Sequence, residues 1–180
     1  MHITMNLNKV LRASTAAALG AGLVVALGLS PLTPTASAAT TYWSFDNAVR
    51  GCLESTASGS VFETACVSGD PSQDWYWIGT ADSGGRRMLA SRISGRCLMT
   101  DTESGSANAN AVWTSSTCDS GAPGQRWRFD YDYEYKTLGS FTNSLGTSLR
   151  TSPGAGRAVY SDDLRTVDYD YYYWSTSLTS

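Results

Sequence analysis

Four cysteines, Cys52, Cys66, Cys97 and Cys118, are the residues whose type and spacing offer the clearest chemistry in this chain. Four thiols either close two disulfides or hold a metal ion. Structural zinc sites draw their thiolates from short Cys-x-x-Cys knuckles, and no two of these cysteines stand that close. The metal reading therefore falls behind. Catalytic chemistry has a thinner basis. The only histidine is His2, in a segment read below as a removable leader. Residues 39–180 then lack the imidazole of a Ser-His-Asp or Cys-His centre, the usual general base and any His-ligated zinc. Asp and Glu number 16, and two carboxylates can cleave a glycosidic bond, but no pair is set apart by spacing. The expectation is a non-enzyme with no catalytic residue, no cofactor and no metal. What remains is binding chemistry, from aromatic rings interleaved with short acids.

The first 38 residues read as targeting. Lys9 and Arg12 precede an apolar stretch, Ala16 to Leu29, broken only by glycine, and Ala36-Ser37-Ala38 closes a small-residue segment. That is the pattern of a secretory signal peptide cleaved near Ala38 or Ala39. The competing reading, a membrane anchor, needs about 20 apolar residues, and the stretch is shorter. No later apolar run is long enough to span. Lys9 and Arg12 are two of the 13 cations and the segment holds none of the 16 acids, so residues 39–180 carry 11 cations against 16 acids. Such acidity argues against nucleic acid as a partner, because phosphate binding needs a basic face. A secreted, extracellular location also makes disulfides the default state of the thiols.

An internal repeat organises the exported part, residues 39–180. Cys52-Leu53 is followed by Cys66 and then by Gln73-Asp74-Trp75; Cys97-Leu98 is followed by Cys118 and then by Gln125-Arg126-Trp127. Six residues separate the second Cys from the Gln in both copies. Repeats at this period mark a fold built from copies of one supersecondary unit. The repeat favours bridges Cys52–Cys66 and Cys97–Cys118, each worth roughly 3 kcal/mol in the chain-entropy account. Between clusters of Gly, Ser, Asp and Pro run short segments rich in β-branched and aromatic residues, such as 75–78, 126–135 and 168–174. No helical apolar period persists, so the class is all-β. A degenerate third copy follows. Ser148-Leu149 stands at the Cys-Leu position, Leu164 at the second Cys, and Tyr171 and Tyr173 at the Gln and Trp positions. The copies span about 43–78, 86–130 and 138–178.

This pattern resembles the ricin B-type β-trefoil lectin family over nearly all of 43–180. The resemblance implies a β-trefoil: a six-stranded barrel closed by three hairpins with threefold pseudo-symmetry. It gives Trp75 and Trp127 a place in the shared core, and Gln73 and Gln125 the task of tying down a loop. Leu53, Leu98, Leu149, Val61, Val112 and Val159 would join that core. It further implies a sugar site in each lobe. A carboxylate just after Cys-Leu accepts hydroxyl hydrogen bonds, a ring before the second Cys stacks on the pyranose, and a polar group beside the Gln adds a bond.

Carried over position by position, that site is altered in every copy. Copy one offers Glu54, with Thr64 at the ring position and Phe62 nearby, and Ser72 beside the Gln. Copy two has Met99 where the carboxylate belongs, Asp101 close by, Trp113 as an offset ring and Gly124 beside the Gln. Copy three offers Arg150, then Tyr160 or Asp162, then Asp170. The candidate ligand contacts are thus Glu54, Phe62, Asp101, Trp113 and Tyr160. Glu54 reads first as a solvated hairpin carboxylate. The stretches 129–135 and 168–174 read first as half-buried strands, although Tyr171-Tyr172-Tyr173 breaks the alternation and must turn a ring outward. Two partners fit this surface. One is a glycan or cell-wall polysaccharide bound by a lectin-like module. The other is a secreted protein bound by an adaptor or inhibitor that uses the trefoil as scaffold.

Overall fold

The computed structural model describes residues 39–106, 109–132, 134, 137–154, 156–164 and 166–179; the leader expected over 1–38 lies outside them. Short runs of alternating apolar and polar residues become strands because one face of each must be buried. Lobe one contains β1 (Tyr42–Asn47), β2 (Cys52–Ser55), β3 (Val61–Thr64) and β4 (Trp75–Ile78). Lobe two contains β5 (Met88–Ser91), β6 (Cys97–Met99), β7 (Asn110–Ala111), β8 (Trp113–Ser115) and β9 (Trp127–Tyr131). Lobe three contains β10 (Leu138–Asn143), β11 (Ser148–Thr151), β12 (Val159–Asp162) and β13 (Trp174–Thr179).

Six of these strands close a barrel. Neighbouring lobes are joined by the antiparallel pairs β1–β13, β4–β5 and β9–β10. Within lobes the ring is completed where Trp43 faces Trp75, Arg87 bridges to Trp127 and Gly139 faces Trp174. The hairpins β2–β3, β6–β8 and β11–β12 cap one end. Closure leaves the barrel strands no free edge. Both expected disulfides are present, Cys52–Cys66 and Cys97–Cys118. Among the described residues no helix is long and apolar enough to cross a membrane.

One contact recurs in all three lobes. The indole Nε1–H groups of Trp75, Trp127 and Trp174 donate to the carbonyls of Leu53, Leu98 and Leu149 at 3.0, 3.0 and 3.3 Å. All six side chains are fully buried, with Phe45, Leu89, Phe141 and the three repeated valines around them. A buried indole must place its N–H, and the Leu carbonyl of the same lobe's hairpin is the acceptor each time. The gateway to that hairpin is a left-handed glycine in lobes two and three, Gly95 at φ +67° and Gly146 at φ +88°.

Trp174 corrects the alignment of copy three. The structure puts Trp174, not Tyr173, at the position equivalent to Trp75 and Trp127, and Tyr172, not Tyr171, at that of the two glutamines. Leu164 was the wrong anchor: Trp174 lies ten residues after it, whereas Trp75 and Trp127 lie nine after Cys66 and Cys118. The loop keeps its register by other means. Gln73 ties its loop by accepting from Val67 N–H and donating to the Ala65 carbonyl, and Gln125 does the same with Asp119 and Thr117. Tyr172 does this with its hydroxyl, which donates to the Asp163 carbonyl and meets Thr166 Oγ1 at 2.7 Å. Segment 168–174 is not a continuous strand either. A 3-10 turn, Tyr169–Tyr171, precedes β13, as Pro71–Gln73 and Pro123–Gln125 precede β4 and β9.

Both disulfides lie in lobes one and two, and lobe three has a different link. Where lobe one bridges Cys52 to Cys66, lobe three pairs Arg150 with Asp162 at 3.0 Å, both buried, and Thr166 Oγ1 donates to the same carboxylate at 2.6 Å. Removing one partner of such a pair strands the other charge out of water and costs about 3–5 kcal/mol. Asp162→Ala is therefore expected to lower the unfolding free energy by that amount, read by urea titration. A loss below about 1 kcal/mol, the level of an exposed pair, would show that the ion pair does not staple the lobe.

Candidate functional site

The hairpin cap carries all five residues singled out from sequence, and the strand register relates them. Glu54 lies opposite Phe62, Met99 opposite Trp113 and Arg150 opposite Tyr160. The three rings therefore occupy one threefold-related position, each directly after a repeated valine, Val61, Val112 or Val159. Each residue facing a ring is engaged by the fold. Glu54 Oε2 accepts from Gln73 Nε2 at 3.2 Å. Met99 Sδ accepts from Gln125 Nε2 at 3.6 Å. Arg150 lies over the Tyr160 ring, 5.0 Å from its centroid, and is locked to Asp162. Asp101 is exposed and accepts from Asn110 Nδ2 at 3.0 Å. The positions beside the Gln are equally occupied. Ser72 Oγ donates to Asp70 at 2.6 Å. A Cβ at Gly124 would sit 1.8 Å from the Thr100 carbonyl oxygen, so no side chain fits there.

Below the cap, a different cleft recurs three times, each between a lobe's last loop and the strand pair that joins it to its neighbour. In lobe one Ser44, Asp46, Ser175 and Ser177 face the loop of Val67 to Gly69. Partial burial raises the Asp46 pKa. In lobe two Thr80, Asp82 and Met88 face Ser120 and Gly121, with Arg126 between. Backbone N–H groups of Arg86 and Gly84, aided by the nearby Arg126 charge, hold the Asp82 carboxyl below its ordinary value. In lobe three the cleft is about 270 Å³ and its lining is aromatic: Tyr131, Tyr169, Tyr172 and Tyr173, with Asp130, Asp132 and Ser140.

The lobe-three lining is ordered by hydrogen bonds. Tyr131 is 56% exposed and Tyr169 43%, whereas Tyr172 is fully buried and forms the floor. Tyr169 and Tyr173 stack with centroids 6.4 Å apart. Tyr173 donates to Asp132 Oδ2 at 3.1 Å, and Glu134 N–H donates to the other oxygen at 2.8 Å. Asp130 accepts from Arg128 Nε at 2.7 Å and from Thr142 Oγ1 at 3.3 Å. Both carboxylates are thus fixed acceptors beside exposed rings. Sequence reasoning flagged the two tyrosine-rich stretches but not that they meet. Residues 130–132 end one strand and 169–173 form the turn before another, and only the closed barrel makes them neighbours.

No family model matches the sequence, and no curated protein matches it either. Solved structures do match in shape. A designed threefold-symmetric protein, ThreeFoil, superposes with a TM-score of 0.61 at 23% identity, covering 77% of this chain and 98% of its own. A ricin B-like lectin from Macrolepiota procera, solved in complex with lactose, gives 0.59 at 16% identity, covering 79% and 99%. An exo-β-1,3-galactanase from Clostridium thermocellum gives 0.63 at 16% identity over 79% of this chain but only 31% of its own.

The fold is a β-trefoil. In the galactanase the matching part is one portion of a longer chain; in the lectin it is nearly the whole. Identities this low show the fold alone, so the choice of site rests on the trefoil's own surface. Its lobes share three equivalent clefts, and among the described residues only the third pairs exposed rings with carboxylates. Tetranitromethane is expected to modify Tyr131 and Tyr169 in the folded protein several-fold faster than Tyr172, read by peptide mass mapping. Equal rates would mean that the cleft does not present its rings as described.

Proposed function

We propose that this chain is a secreted, non-catalytic carbohydrate-binding module for an extracellular glycan or cell-wall polysaccharide, and that it holds the glycan in the lobe-three cleft. The observation that carries the reading is the pairing of exposed rings, Tyr131 and Tyr169, with the fixed acceptors Asp130 and Asp132. A pyranose presents C–H groups on one face and hydroxyls around its edge. A π-face suits the first and oriented carboxylates the second. Asp130 is paired with Arg128, and Asp132 is held by Tyr173 and the Glu134 N–H, an arrangement suited to hydrogen-bond acceptance. The leader-like first 38 residues and the two disulfides support export. The lectin-like shape supports a glycan partner, and the hairpin-cap residues Glu54, Phe62, Asp101, Trp113 and Tyr160 become secondary candidates.

The test is retention on a glycan array and on insoluble cellulose, chitin and galactan. Tyr169→Ala and Asp132→Asn are each expected to weaken binding about 10-fold, the effect of roughly 1.4 kcal/mol. Trp113→Ala should bind as the wild type does. Loss with Trp113→Ala alone would move the site to the hairpin cap. No retention on any glycan, with a secreted protein co-purifying instead, would favour the adaptor.

A further inference from the structure

The end of the barrel opposite the hairpins opens into a second pocket of about 190 Å³ that shares one wall, Tyr131, with the lobe-three cleft. Its lining has the opposite electrostatic character. Trp43, Trp77 and Phe129 form apolar walls, Thr176 and Tyr131 hydrogen-bond to each other at 2.8 Å, and the charged groups are Arg87 and Arg128. No carboxylate lines it, in a protein whose acids outnumber its cations. Arg87 is exposed and lies over the Trp77 ring, 5.5 Å from its centroid. Its backbone is pinned on both sides by hydrogen bonds with Trp127 at 2.8 Å. Among the described residues the ion pairs engage Arg92, Arg126, Arg128 and Arg150, and Arg87 has no carboxylate partner. A guanidinium stacked on an indole keeps its N–H edge free for a planar anion, which it binds in fork geometry.

From this we infer that the barrel mouth holds a carboxylate-bearing pyranose, a uronate unit. Its ring packs between Trp43 and Trp77, and its carboxylate meets Arg87. The pocket is small beside the roughly 300–1,000 Å³ of clefts that enclose drug-sized ligands, so it takes a single ring. Together with the cleft reading above, on which this extension rests, the two sites read a glycan by charge. A neutral unit faces Asp130 and Asp132, and the next, acidic unit crosses Tyr131 to the arginine side. The ligand class is then an acidic heteropolysaccharide rather than a neutral one.

The two sites can be tested separately by following the indole Nε1–H resonances of Trp43 and Trp77 in the full chain. Free galacturonate is expected to move them at concentrations at least 10-fold below those needed for free galactose. Arg87→Gln should reduce that preference to near unity, and added salt should weaken it in the wild type. Equal responses to the two sugars, or a preference that survives Arg87→Gln, would overturn the uronate site. Tyr169→Ala, which lies outside the mouth, separates the two readings on an oligosaccharide that alternates galacturonate with a neutral sugar and on its carboxyl-reduced form. If Tyr169→Ala costs nothing while the indoles still respond to galacturonate, the mouth stands and the cleft fails. If it weakens both oligosaccharides while the indoles ignore galacturonate, the cleft stands and the mouth fails.

Discussion

An indole N–H donated to a leucine carbonyl, made once per lobe by Trp75, Trp127 and Trp174, is the constraint on which the rest of this trefoil depends. It fixes the hairpin of each lobe against the first residue of the strand that returns to the barrel. The Leu side chain beside that carbonyl then points to the axis, and its neighbours along the hairpin alternate inward and outward. Position 61 goes in and 62 goes out; so do 112 and 113, and 159 and 160. The three cap rings share one orientation for this reason, although they differ in type.

The three lobes meet the same demand with different chemistry. Lobes one and two pin their last loop with a glutamine amide and a disulfide. Lobe three uses the Tyr172 hydroxyl and the Arg150–Asp162 pair. Amide and phenol differ in reach, so the neighbouring surface changes with the pin. Asp74, Arg126 and Tyr173 follow Gln73, Gln125 and Tyr172, and each lines its lobe's cleft. In lobe three that residue is a ring, and the turn before it supplies another in Tyr169. An aromatic pin and an aromatic cleft are two consequences of one local replacement.

Much of the fold was legible because its determinants are local in sequence. Cys-Leu, Cys and Gln-x-Trp recur at fixed offsets, and the disulfides and the buried Leu and Val positions follow from them. Copy three was read one residue out because it was counted at the spacing of copy one, where Val61 precedes Trp75 by 14 residues, whereas Val159 precedes Trp174 by 15. Residues 168–173 have strand-like composition, yet Tyr172 must turn back to reach Asp163, and a 3-10 turn results. The site was less legible. Glu54, Met99 and Arg150 could be placed by offset, but their engagement with Gln73, Gln125 and Asp162 could not. The lobe-three cleft joins residues 130–132 to 169–173 across β10. No periodicity in either stretch announces the other.

The central proposal is that this β-trefoil holds a glycan in the lobe-three cleft rather than at the hairpin cap. Amide chemical-shift mapping during titration with a retained glycan tests it most directly. The account predicts the largest shifts at Tyr131, Asp132, Tyr169 and Tyr173, with Glu54, Phe62 and Trp113 unmoved. Shifts concentrated at Glu54, Phe62 or Trp113, with the lobe-three tyrosines silent, would contradict it.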